Sequence, residues 1–151
     1  MPAESWRDVR PVALGVAVRD GPDGPELLLA EHRDPTEESA FYRPPGGGVE
    51  FGETSEAAVR RELREELSVT VTGTERLAVL ERTFEFDGQP CHEIGFVYRV
   101  TVAEDWPYER DTFEGEEPEF DETFPVQWVP VGDLERDDVT VYPEELAALV
   151  S

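Results

Sequence analysis

Three consecutive glycines lead, six residues later, into the one strong helix signal in the chain. From Gly46 to Val69 the sequence reads GGGVEFGETSEAAVRRELREELSV. Pro44-Pro45-Gly46-Gly47-Gly48 cannot form a helix interior, because proline removes a donor and glycine costs backbone entropy. Thr54 or Ser55 can serve as the N-cap, and carboxylates sit in the first turn. Val59, Leu63 and Leu67 recur at i, i+4 and i+8, giving an apolar stripe. The spacing therefore predicts a helix over 54–67, entered from a glycine loop. Any fold for this chain has to seat that loop and that stripe together.

The same helix carries Glu62, Glu65 and Glu66 at i, i+3 and i+4, so they project from one side. At 100° per residue that side lies roughly 105° from the apolar stripe. The stripe can pack while the carboxylates face a cleft. Three carboxylates held this close repel one another, and a hard divalent cation with oxygen ligands removes that cost. Mg²⁺ takes a few carboxylates, keeps water and binds substrate phosphates, so the pattern points to a metal site for phosphate chemistry. The competing reading is a solvated helix face whose glutamates pair with Arg60, Arg61 or Arg64.

Composition narrows the function classes. The 151 residues include 36 acidic and 13 basic ones, a formal net charge of −23. A broad cationic face for nucleic acid is excluded, and adsorption to anionic membranes is disfavoured. No apolar run reaches the length of a membrane span. Met1-Pro2-Ala3-Glu4-Ser5 lacks the basic and apolar regions of a signal peptide. All the cations are arginine. Without lysine there is no Walker A loop, Schiff base or pyridoxal chemistry. Cys91 is the only cysteine, so an intramolecular disulfide and a cysteine-rich zinc site are excluded. These features predict a cytoplasmic protein. Abundant Asp and Glu without Lys resembles the composition of proteins from extreme halophiles, where concentrated salt screens the self-repulsion.

Along the chain, Val9 to Arg19 alternates as a strand. The turn cluster Asp20 to Pro25 joins it to Glu26–Arg33, as a hairpin. Val69 to Phe86 and His92 to Val102 form a second, longer hairpin about Asp87-Gly88. The stretch 103–125 is acidic and reads as irregular, with Trp106, Tyr108, Phe113, Phe120 and Phe124 interspersed. Val126 to Val129 is a short strand, and Pro143 to Val150 a closing helix. The order strands, helix, strands, helix predicts one mixed α/β (α+β) domain over 1–151.

The segment resembles the Nudix box, G-x5-E-x7-R-E-U-x-E-E-x-G-U, with U aliphatic. Gly47 opens it, Glu53 follows, and then come Arg61-Glu62, Leu63, Glu65-Glu66 and Val69. Ser68 stands where the family has a glycine that ends the helix in a left-handed conformation, which predicts a slightly strained exit. The resemblance implies a Nudix-type α/β/α sandwich with a mixed sheet and the loop-helix-loop. It implies Glu62, Glu65 and Glu66 as ligands of Mg²⁺, with Mn²⁺ a substitute, joined by a backbone carbonyl of Gly46 or Gly47. Arg61 would orient these glutamates and Glu53 would be its partner. Glu122 best matches a further family carboxylate before the last short strand, a ligand or general base, with Glu119 and Asp121 as alternatives. The implied reaction is hydrolysis of a nucleoside diphosphate linked to another group, metal neutralising the diphosphate.

Other candidates come from the residues themselves. Arg43, beside the glycine loop, and Arg33 are candidate bidentate donors to phosphate oxygens. Glu93 is another candidate carboxylate. The aromatics of 103–125 either pack in the core, cover the site or make a homodimer contact. His32 and His92 are read as packing or surface residues, and Cys91 as inert. The chain has no asparagine, which speaks against the base-reading residue of the oxidised-guanine branch. The partner is a small nucleotide. The alternative is a Nudix-fold module that binds a nucleotide without cleaving it; the four surviving box glutamates favour the enzyme.

Overall fold

The computed structural model describes residues 8–37 and 39–150. The N-terminal segment read above for a targeting signal lies outside them. Among the described residues nine strands form two sheets. In the first sheet, β5 (Gly46–Gly48), β1 (Val9–Val16), β7 (Gln89–Val102) and β6 (Val71–Phe86) lie in that order. The β1–β7 pairing is parallel and the others are antiparallel, so the sheet is mixed. In the second sheet the order is β2 (Val18–Gly21), β3 (Gly24–Arg33), β9 (Glu122–Pro130), β8 (Thr112–Glu117). The short β4 (Ala40–Arg43) also pairs with β3.

Before helix α1 (Ser55–Leu67) the chain crosses between the sheets at two places, and it crosses again after β7. Residues 9–19, expected as one strand of a hairpin, divide at Ala17. Val16 pairs with Arg99 in the first sheet, whereas Val18 pairs with Leu27 in the second. Alternation alone does not reveal this division, because Val12, Leu14, Val16 and Val18 keep one period through it. The second crossing is Pro44-Pro45, between β4 and β5. Proline donates no amide hydrogen to a ladder, so pairing stops here. The Gly15 amide instead donates to the Pro45 carbonyl at 2.8 Å. This crossing delivers the glycine loop to the side of helix α1.

Helix α1 forms as the spacing predicts. The Thr54 side chain accepts from the Ala57 amide, and Ala58, Val59, Leu63 and Leu67 are buried. The stripe joins Ala13, Tyr98 and Val100 of the first sheet to Phe124, Val126 and Trp128 of the second. A second cluster on the opposite side joins Val16 and Val97 to Leu27, Leu29 and Leu146. Leu146 begins the short α3 (Leu146–Val150), which covers part of the expected closing helix. This is the mixed α+β sandwich anticipated from the sequence.

The stretch 103–125 is ordered rather than irregular. It holds a one-turn helix α2 (Trp106–Glu109) and the β8–β9 hairpin. The expected strand 126–129 is the second half of β9. Trp106, Tyr108 and Phe113 pack against the main cluster and Phe124 lies within it; Phe120 is exposed. Acidic residues on the outward positions hid this hairpin, because they lower the apparent β-propensity of a strand that needs only one apolar face.

Ser68 caps α1 at φ 59°, ψ 39°, with its amide donating to the Arg64 carbonyl. A residue with a Cβ is strained there, and glycine is not. Ser68→Gly is expected to stabilise the fold by about 1 kcal/mol. Denaturant titration of the two proteins checks this, and an unchanged or lower midpoint would refute the strain.

Candidate metal and phosphate site

The site is built where the glycine loop meets the middle of α1. Gly46 has φ 152°, and a Cβ there would overlap the Ala13 carbonyl. At Gly47 a Cβ would lie 2.8 Å from the Glu62 carboxylate. These two positions require glycine so that the backbone can approach both β1 and the helix.

Arg61 holds the parts together. Its Nε and Nη2 donate to Glu53 at 2.7 and 2.9 Å, a two-point clasp. Nη2 also donates to the Gly48 carbonyl at 3.0 Å. Nη1 donates to Glu62 at 3.0 Å and reaches Glu65 at 3.4 Å. Arg61 therefore ties the loop to the helix and orients two of the three helix glutamates, and Glu53 is its principal partner. That clasp and the Glu50 amide hold the Glu53 carboxyl down at about 2.

Glu66 has the opposite environment. It is buried and accepts from the Gly46 amide at 3.1 Å. Burial, then the neighbouring charges of Glu62 and Glu117, push its pKa up to about 9. Glu66 and Glu117 share a hydrogen bond, and Glu117 is also raised, chiefly by burial. Burial also raises Glu62.

Glu117, at the end of β8, was not singled out from the sequence. Strand register places it: Phe113, Gly115 and Glu117 share one face of β8. A Cβ at Gly115 would meet Phe124 and Leu67, so that face looks at α1. Glu122 starts β9, exposed and directly opposite Glu117 in register. Its charge acts on Glu117, while Glu117 is the residue that contacts Glu66.

Among the described residues, no three carboxylate, imidazole or thiol side chains enclose a cation-sized space on their own. Arg61 draws Glu62 and Glu65 toward itself. The donor chemistry nevertheless fits a hard divalent ion. Every available ligand is oxygen, and the raised Glu66, Glu62 and Glu117 report a site short of positive charge. Mg²⁺ needs only one or two carboxylates, filling its shell with water and substrate phosphates.

A shallow pocket opens on the first sheet. Val12, Leu14, Leu80 and Val97 line it with Arg43, Arg82, Glu93 and Tyr142. Arg43 donates to Glu93 at 3.1 Å and feels the charge of Glu66, so it stands between pocket and carboxylates. Arg33, by contrast, is exposed at the end of β3, in register with Ala40 and away from the pocket lining. His32 is packed between Phe41 and Phe124, and burial lowers its pKa to about 4. His92 pairs with Glu81 on an exposed face at 2.7 Å.

The glycine loop, the clasped arginine and the helix carboxylates together define a fold and site class found in known proteins. The NUDIX domain family matches residues 9–149, and the chain belongs to that family. A curated relative is the oxidized purine nucleoside triphosphate hydrolase of Danio rerio, 34% identical over 103 residues. That alignment covers 65% of this chain and 58% of the relative's length. The fold is shared with the MutT NUDIX hydrolase from Burkholderia pseudomallei (TM-score 0.67, 24% identity, 96% of this chain, 100% of that one). It is shared also with the C. elegans Ap4A hydrolase (TM-score 0.53, 19% identity, 95% and 94% covered). The family generally depends on a divalent metal. No helix among the described residues is long and apolar enough to cross a membrane.

The Glu66 environment has a consequence for stability. Between about 4.5 and 9 the folded protein keeps a proton that the unfolded chain releases, so metal-free stability falls as pH rises through this window. Glu66→Gln is expected to flatten that fall, so that the variant gains on the wild type toward pH 9. Denaturation midpoints in chelator at pH 5, 7 and 9 measure it, and parallel curves for the two proteins would exclude it.

Proposed function

We propose that this chain is a divalent-metal-dependent Nudix pyrophosphohydrolase acting on a nucleoside diphosphate linked to a further group. Nucleoside triphosphates, nucleotide sugars and dinucleotides share that chemistry. The observation that carries the reading is Glu66, buried beside Glu62 and Glu117 at a glycine loop that Arg61 and Glu53 clasp. A cluster of that kind costs stability unless a cation and a polyphosphate occupy it.

In this proposal Glu62, Glu65 and Glu66, with a carbonyl of Gly46 or Gly47, hold Mg²⁺, for which Mn²⁺ can substitute. The cation, when bound, neutralises the diphosphate and acidifies the attacking water. Glu117 accepts the proton of that water, Glu122 opposite it being the second candidate. The water oxygen forms a bond to one phosphorus, the bridging P–O bond breaks, and the departing phosphate leaves as an anion. Arg43 donates to a phosphate oxygen at the pocket mouth. Arg61 and Glu53 are positioning residues, acting through the glutamates they hold.

A cytoplasmic setting and function in concentrated salt belong to the same proposal. Their support is compositional: one cysteine, no lysine and a net charge of −23.

The test is a panel of nucleoside triphosphates, 8-oxo-dGTP, ADP-ribose, nucleotide sugars and dinucleoside polyphosphates, with Mg²⁺ in high salt. Turnover of one class is expected, abolished by chelator. Glu66→Gln should lower kcat by about 100-fold or more with unchanged circular dichroism. Full activity in that variant would overturn the assignment of Glu66 to the site, and no turnover from folded wild type would favour the non-hydrolytic binding module. A second comparison separates the two outer carboxylates. Glu117→Gln should lower kcat by roughly 100-fold, and Glu122→Gln by less than about 3-fold. The reverse order would assign the proton transfer to Glu122.

A further inference from the structure

The pocket beside the carboxylates is cationic, in a chain where acids outnumber bases by 36 to 13. Arg10, Glu93 and Arg82 occupy one row across the first sheet. Arg10 of β1 is in register with Glu93 of β7, and Glu93 is in register with Arg82 of β6. Residues directly opposite in neighbouring strands point to the same face. Arg43 enters this row from β4 and donates to Glu93 at 3.1 Å. Arg43 and Arg82 thus line the pocket with the buried Glu93, and the exposed Arg10 stands in the same row.

Glu93 is spoken for by Arg43. Among the described residues, no ion pair links Arg10 or Arg82 to any carboxylate. Arg82 instead lies over the rings of Tyr142 and Phe84, 4.6 and 4.4 Å from their centres. Arg10 reaches the glycine loop: its Nη2 is 3.2 Å from where a Cβ at Gly48 would sit. Arg82 and Arg10 both act against the charge on Arg43, which burial already disfavours. This is a costly arrangement to keep in a molecule with so many acids, and an anion relieves it.

We propose that the pocket binds a phosphomonoester carried by the group linked to the diphosphate, a second anionic feature of the substrate away from the bond that is cut. The proposal rests on the hydrolytic reading above and names its substrate class. Arg43 and Arg82 against Glu93 leave the pocket one positive charge in surplus, and Arg10, exposed in the same row, raises it to two, matching the near-dianion of a phosphomonoester. Guanidinium forks bind phosphate oxygens in pairs, which an uncharged sugar or base edge does not demand. The apolar floor of Val12, Leu14, Leu80 and Val97 takes the carbon skeleton between the two phosphate groups. Arg43, which lines the pocket and donates to Glu93, lies three residues before the glycine loop that Glu66 holds.

ADP-ribose and ADP-ribose 1″-phosphate form a matched pair of probes. The experiment measures kcat/KM for each with Mg²⁺, and calorimetric affinity for each with the metal withheld, at one fixed salt concentration that keeps the protein folded. The phosphorylated compound should be favoured at least 10-fold by both measures. That ratio should fall below about 3 in Arg82→Gln and in Arg10→Gln, the latter at an exposed position that the fold tolerates. Equal values for the two compounds in the wild type would overturn the proposal and leave the hydrolytic reading standing. A ratio unmoved by both variants would also overturn it. Tighter binding of the phosphorylated compound without turnover of either would uphold the pocket and count against hydrolysis. Equal binding without turnover would defeat both.

Discussion

Arg61 is the point at which loop and helix become one object. Its guanidinium spans Glu53, the Gly48 carbonyl, Glu62 and Glu65. A lysine could not do this, because a single ammonium lacks the planar fork that meets one carboxylate at two points and still serves other acceptors. The clasp is partly buried, with the Arg61 side chain 25% and that of Glu53 16% exposed. Removing either partner would leave a poorly hydrated charge, a loss on the order of 3 kcal/mol. It would also release the glycine loop from the helix that carries the remaining carboxylates.

The molecule arranges its acids in two opposite ways within a few ångströms. Glu53 is neutralised by an internal cation and ionises easily. Glu66 is deprived of one, buried against Glu62 and Glu117, and resists ionisation. The first is a structural pair, complete in itself. The second is an incomplete site, whose stability and charge depend on what enters from outside. The sheets make this contrast possible. The crossings at Ala17 and Pro44-Pro45 bring strands of both sheets around α1, so that β5 and β8 approach the helix from different directions.

The arginine row on the first sheet extends the same logic to the next space along. There the surplus charge is positive, and Arg43 is the junction. A polyphosphate laid across the carboxylates with a cation, and continuing into the arginines without one, would meet alternating charge along its length.

Much of this was legible in the sequence. The Thr54–Ser55 cap signal and the Val59, Leu63, Leu67 period determined the helix and its buried stripe, and the resemblance to the Nudix box pointed to the pairing of Arg61 with Glu53; those interactions are local. Each spans at most 13 residues, within reach of helical periodicity and one loop. Ser68 showed its left-handed exit for the same reason. Glu117 and the Arg10–Glu93–Arg82 row were not legible. Their partners lie far away in the chain, and their meeting depends on strand register, where a shift of one residue turns a side chain to the other face. The division of 9–19 between two sheets and the β8–β9 hairpin were hidden likewise, since alternation states which residues share a face but not which sheet receives them. The sequence by itself determined the local machinery of the loop and helix. Only the tertiary structure decided which distant acids and arginines complete it, because cross-strand pairing is set by the packing of the whole chain.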